Sequence, residues 1–202
     1  MMAAPPVILD VRDLTFAYPL QPPLFDHWSA AVLAGVTLVQ GDTGSGKSTL
    51  LRMLAGAESL SGRLTLAGIR LDADAAAYRR AVFFVDPNDA QHDHSIAGDL
   101  IGAAARHHVE GFALGPHLHK PMFMLSTGSR RKVWLAAALA SSRPLTLLDE
   151  PTGGLDAPAR EYLSRALSAL AAQRERAVVV ASGEGLAAVA LTGTITLPFQ
   201  GA

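Results

Sequence analysis

Nine consecutive residues, Gly41-Asp42-Thr43-Gly44-Ser45-Gly46-Lys47-Ser48-Thr49, combine the types and spacing that hold a polyphosphate. They satisfy the pattern G-x-x-x-x-G-K-[ST] without a gap. Gly41, Gly44 and Gly46 lack the Cβ atoms that would keep backbone N–H groups away from an anion. Lys47 can reach β- and γ-phosphates, and the Ser48 hydroxyl can ligate Mg²⁺. The bland alternative is a Gly-Ser-rich turn with an incidental lysine. A second set of reactive groups stands at Asp149-Glu150, behind the apolar run Leu147-Leu148. Asp149 can hold Mg²⁺ opposite Ser48, while Glu150, pointing differently, can polarise an attacking water as general base.

Two weaker signals accompany these. In Leu125-Ser126-Thr127-Gly128-Ser129, hydroxyls, a glycine and free N–H groups precede a helix, which makes a second anion-binding helix start. Alone it is a helix cap. Tyr18, just before Pro19, is placed either to stack on an adenine or to pack at a strand end. Six of the seven histidines (His92, His94, His107, His108, His117 and His119) lie in the middle section. Imidazoles ligate metals, but these spacings match no standard site and no thiolate joins them. A solvated polar surface is the expectation.

The elements around these residues are in the right order for phosphate chemistry. Gly35 to Gln40 is a β-rich run leading into the loop, and Leu50 to Ala55 leads out as a helix stopped by Gly56, so phosphates would sit on a helix N-terminus. Upstream, Val7–Val11 and Leu14–Ala17 read as two short strands broken near Arg12-Asp13, followed by the turn Pro19 to Pro23. Downstream, Arg63–Leu66 and Ala81–Val85 read as strands, the latter ending in the turn cluster Asp86 to Asp89. A helix capped by Ser95 is expected over 95–106, a loop over 111–121, and a helix capped by Ser126 from about Ser129 to Ala140. Leu145–Leu148, Ala177–Ala181 and Thr194–Leu197 complete the strands. Between the first two, Asp156 caps and Pro158 starts a helix with Leu163, Leu167 and Leu170 at helical spacing. Alternating strands and helices predict a mostly parallel α/β sheet with ligand at the carboxyl ends of its strands.

Composition sets bounds. The 202 residues suggest one domain over 1–202, half of them hydrophobic and few aromatic. A formal charge of -1 announces no nucleic-acid partner. The absence of cysteine rules out disulfides and thiol catalysis and suits a reducing cytosol. Residues 1–11 have no basic leader, so no signal peptide is expected. The longest mostly apolar stretch, Ala30–Val39, is too short to span a bilayer as a helix, so any membrane role is expected to come through a partner.

Taken together, these motifs resemble the nucleotide-binding subunit of ATP-binding-cassette transporters across essentially the whole chain. Gly41–Thr49 resembles that family's Walker A motif, and Leu147 to Pro151 its Walker B with catalytic glutamate. Leu125–Ser129 resembles its signature motif, with Arg130-Arg131-Lys132 following; Gly154-Leu155-Asp156 resembles its D-loop, and Tyr18 its adenine-stacking aromatic. The length, and the run from Leu125 to Leu139, also resemble small ATPase subunits of haem-exporter-type systems of cytochrome c maturation. The resemblance implies a RecA-like P-loop NTPase core over about 1–91 and 141–202, with an N-terminal antiparallel β part and a short α-helical subdomain over about 92–140. It implies Mg-ATP as cofactor, ATP hydrolysis, and Ser126, Thr127 and Gly128 facing ATP held by a second, head-to-tail subunit. It further implies a transmembrane permease as partner and a peripheral place on the cytoplasmic face of the membrane.

Departures from the family pattern are specific. A Gln that touches Mg²⁺ corresponds by spacing from Ser95 to Asp86, or to Val85 if the register slips by one, so Asp86 joins Ser48 and Asp149 as an expected metal-site residue. A switch His after the last core strand corresponds to Ser182 or Gly183. Thr127 and Ser129 replace Gly and Gln of the common signature, and the helical section is short. These changes imply ATP binding with weak hydrolysis. Other readings are a degenerate, regulatory ATP-binding subunit, a soluble P-loop kinase acting on a small metabolite, or a soluble cassette protein working on DNA or ribosomes. The kinase leaves the signature unexplained, and the last class commonly carries tandem domains or long inserts.

Overall fold

Three runs rich in Val, Leu and Ala form the middle of the molecule because a strand covered on both faces needs apolar side chains on each. The computed structural model describes residues 4–58, 60–85, 92–186 and 188–197. In chain order the elements are β1 (Val7–Ala17), β2 (Pro23–Leu33), β3 (Gly35–Gln40), α1 (Lys47–Leu54), β4 (Ser61–Leu66), β5 (Ile69–Arg70) and α2 (Ala75–Arg80). There follow β6 (Val82–Phe84), α3 (Ala97–Ile101), α4 (Arg106–Gly111), α5 (Thr127–Ala140), β7 (Leu145–Asp149), α6 (Ala157–Gln173), β8 (Ala177–Ala181) and β9 (Leu191–Thr196). Five strands pair in parallel in the order β6-β7-β8-β3-β9. Successive residues of a strand face opposite ways. Val36, Leu148, Val178 and Val180 therefore join one core with α5 and α6, while Val39, Leu147, Val179 and Ala181 join another with α1. The second core is closed by an antiparallel sheet, β2-β1-β4-β5. This is the mixed α/β fold expected. In the parallel sheet Val39, Ala181 and Asp149 lie in one row, so three strand ends open at one place.

Several expectations need correction. β1 is one strand, not two. Its register shifts between Val11 and Leu14, and Asp13 sits at φ 55, so a bulge turns the chain while pairing continues on both sides. β2 has no strict alternation to reveal it: only Phe25 and Val32 are buried, because it is an edge strand. α2 is too short and Ala-rich to declare itself, yet Tyr78 is fully buried. The expected helix over 95–106 is broken: α3 and α4 are separated by Gly102 at φ 74. Ser95 does not cap α3; Ile96 precedes it without a side-chain hydrogen bond. Nor are the histidines uniformly solvated. His108 is 6% exposed, and burial, with repulsion from His107 and Arg176, pushes its pKa down to about 4. Among the described residues, no group of three or more His, Cys, Asp and Glu is arranged to hold a metal ion. Among them, too, no helix is long and apolar enough to cross a membrane.

Candidate functional site

The end of β3 runs directly into the glycine-rich loop, and the loop into α1. Gly44 (φ 82) and Gly46 (φ 98) adopt the left-handed conformation that side chains resist, which explains glycine at both positions. Lys47 opens α1 and folds back, donating from Nζ to the carbonyls of Gly41 at 2.7 Å and Asp42 at 3.1 Å. Ser45 N also donates to Asp42 O, at 3.1 Å, while Ser45 Oγ is buried without a partner. An open cleft of about 950 Å³ lies over this loop, lined by Thr43, Gly44 and the stretch Gly46 to Thr49. Tyr18, following β1, borders it; the residue is 40% exposed and its hydroxyl lies 2.7 Å from Thr49 Oγ1.

β7 brings in the carboxylates. Asp149 ends the strand, and its Oδ1 is buried with no hydrogen-bond partner. Asp149 lines not the main cleft but a small cavity beside it, with Phe83, Val85 and Trp134. A carboxylate oxygen buried without a donor is electrostatically incomplete, and a hard divalent cation is what completes it. The donor set of Ser48 hydroxyl and Asp149 carboxylate thus suits Mg²⁺. Glu150 follows at φ 41, a left-handed backbone that a non-glycine residue adopts at a cost. Three contacts hold it there: Glu150 N donates to Ala181 O at 2.9 Å, and Arg131 Nη1 and Gly153 N donate to Glu150 O at 2.7 and 3.1 Å. Glu150 Oε1 then accepts from Gly183 N at 3.0 Å and lies 3.6 Å from Lys47 Nζ. The strand ends thus bring the loop lysine, the second carboxylate and the residues after β8 to one point.

One of these contributors was given no role from the sequence, and another was named only as a switch-position alternative. Arg131 was named only within the basic run after the signature-like stretch, yet it donates to the carbonyls of both Glu150 and Gly153 at 2.7 Å. Gly183 acts through its backbone N–H, which leaves no trace in residue type. Of the two switch-position alternatives, Ser182 is 1% exposed and turned into the interior, whereas Gly183 lines the cleft beside Glu184.

The signature-like stretch packs against Gly154 of the cleft wall without itself lining the cleft. Ser126 caps α5, its Oγ accepting from Ser129 N at 3.2 Å. At Gly128 a Cβ would sit 2.7 Å from Gly154 O, so only glycine permits this approach of α5 to the loop before α6. No residue of 125–129 is among those that line the main cleft. Asp86 lies outside the described residues.

A profile of the ABC transporter family matches residues 32–153, more than half of the chain. The chain belongs to that family, as an ATP-binding domain. Phospholipid-transporting ATPase ABCA3 of Homo sapiens is 29% identical over 96% of the chain, which spans only 12% of that protein. Cytochrome c biogenesis ATP-binding export protein CcmA of Pseudomonas aeruginosa is 35% identical over 66% of the chain and 72% of its own length. A solved ATP binding subunit of an ABC transporter shares the fold, with a TM-score of 0.77 at 21% identity over 87% of this chain and 79% of that one. The matched region of the ABC transporter family contains the loop of β3–α1, α5 and the Asp149-Glu150 strand end.

Proposed function

We propose that the protein binds Mg-ATP in the cleft over residues 41–49 and hydrolyses it as the nucleotide-binding subunit of an ABC transporter, driving a separate transmembrane permease. The observation that carries this reading is the 3.6 Å approach of Lys47 Nζ to Glu150 Oε1 at the edge of that cleft. Backbone N–H groups of Gly41 to Thr49 and the Lys47 ammonium bind the phosphates, and Tyr18 stacks on the adenine. Ser48 and Asp149 would hold Mg²⁺, with Asp86 as a third candidate; the ion supplies charge neutralisation at the β- and γ-phosphates. Glu150 takes the proton of the water that attacks the γ-phosphorus, its carboxylate aimed by the Gly183 N–H.

Ser126, Thr127 and Gly128 serve ATP held by a second subunit, either the same chain or a related one. That none of them lines the chain's own cleft supports that assignment. Through its permease the protein sits on the cytoplasmic face of the membrane. Cargo differs between the relatives, one named for phospholipid transport and the other for export in cytochrome c biogenesis. Cargo choice is accordingly the permease's. Slow turnover, with a regulatory role, is favoured by one observation: the position facing Glu150 is Gly183, with no side chain to touch the γ-phosphate.

The test is a Glu150→Gln variant. Phosphate release should fall to background while ATP still binds, and size-exclusion chromatography should show an ATP-dependent dimer. A monomer with ATP demonstrably bound would remove the two-subunit arrangement. Hydrolysis at the wild-type rate would remove Glu150 as base.

A further inference from the structure

A second crevice of about 840 Å³ opens at the other end of the sheet, where Pro144 and Arg176 precede β7 and β8. It shares no lining residue with the cleft over the phosphate loop. Its walls are largely apolar, with Leu139 and Ala140 from the end of α5 and Ala166, Ala169 and Leu170 from α6. Polar groups converge on it from α4 and α6. Tyr162 OH donates to His107 O at 3.1 Å, which spends its single proton. His108 Nδ1, 2.8 Å from the same hydroxyl, is therefore the donor of that pair, and Nε2 of the neutral ring carries a lone pair.

Arg176 is the unusual member. Its Nη1 donates to Thr146 Oγ1 at 2.9 Å and Ala138 O at 3.2 Å, and its Nη2 to Leu139 O at 2.6 Å. Three of the five N–H groups of a guanidinium are thus used, leaving Nε–H and one on Nη2. Among the described residues no carboxylate lies within 4.0 Å of it, and burial lowers its pKa with no acidic neighbour raising it. Nε has no hydrogen-bond partner among the described residues and is not among the buried atoms left without one, so it is accessible. A half-buried cation without a counter-ion, at the head of an apolar crevice, is an arrangement that an anion completes. Glu175 and Arg165 also line the crevice; Arg165 is paired with Glu161 at 3.5 Å, whereas Glu175 would repel a multiply charged ligand.

We propose that this crevice binds a small monoanionic amphiphile, its carboxylate or sulfonate on the free edge of Arg176 and its apolar body against Leu139, Ala166 and Ala169. The site is separate from the nucleotide cleft and does not depend on the ATPase reading.

Fluorescence titration with 8-anilinonaphthalene-1-sulfonate tests it on the whole chain. Wild type should show one saturable site, unchanged in Lys47→Ala, from which decanoate displaces the dye at least tenfold better than decanol. Ala169→Trp should abolish binding by filling the crevice from an exposed position, and Arg176→Met, titrated well below its own unfolding midpoint, which the loss of three hydrogen bonds lowers, should weaken it at least tenfold. If Arg176→Met fails to fold, Arg176→Lys is compared instead, which keeps the charge but loses the planar fork and should also weaken binding. No saturable site, wild-type affinity in Ala169→Trp, or equal displacement by decanol and decanoate would each overturn the proposal.

Discussion

Lys47 makes its contacts with the Gly41 and Asp42 carbonyls and with Glu150. Replacing it with Ala removes charge-assisted contacts worth about 1.5–3 kcal/mol each, so ATP affinity should fall at least tenfold. Calorimetric titration measures this, and an unchanged affinity would refute the phosphate assignment. Gly183 permits a second experiment. A Cβ there would lie 3.8 Å from Glu150 Oε1, an ordinary contact, so a side chain can be accommodated toward the cleft. Gly183→His should raise steady-state phosphate release, within the roughly 10²–10³-fold that one preorganised donor contributes. Ser182→His should not, because Ser182 is 1% exposed and has no room for an imidazole. Equal rates in wild type and Gly183→His would show that no switch group is missing.

At the scale of elements, the phosphate-loop helix is short, and its C-terminal end is secured from outside. α1 has eight residues, and its last carbonyls need partners. Tyr78 OH of α2 donates to Leu54 O at 2.8 Å, and Arg79 Nε donates to Gly56 O at 2.7 Å. α2 therefore clamps the helix whose other end would carry the phosphates. Tyr78→Phe leaves Leu54 O buried without that donor and should cost about 1–3 kcal/mol. Chemical denaturation should show a lower midpoint at unchanged slope. A midpoint equal to wild type would mean that α1 is held by packing alone.

For the whole molecule, the contact between α4 and α6 carries a pH dependence. His108 has an ordinary pKa of 6.5 when unfolded and about 4 when folded, chiefly because burial disfavours its charge. Above pH 6.5 the ring is neutral in both states and contributes no pH dependence. As pH falls from 6.5 toward 4, the unfolded chain takes up a proton that the folded chain refuses, so stability declines by up to about 1.4 kcal/mol per pH unit. His108→Gln removes that proton uptake. The unfolding temperature of wild type should therefore drop more steeply than that of the variant between pH 6.5 and 4.5, and parallel curves would contradict the burial assigned to His108.

What the residues determined by themselves was local. The loop Gly41–Thr49, the strand end at Asp149-Glu150, the caps Ser126 and Asp156, and strand β8 are readable because each depends on residue types within a few positions. Elements whose stability comes from distant partners were not readable. β2 is held by pairing with β1, and α2 by the burial of Tyr78. The same distinction applies to the site. Sequence supplied the lysine and the carboxylates, but backbone groups carry no residue-type signal, so the Gly183 N–H on Glu150 became visible only with the fold. So did the choice between Ser182 and Gly183, since a shift of one residue after a strand turns a side chain from cleft to core and only the β3–β8–β7 register decides which.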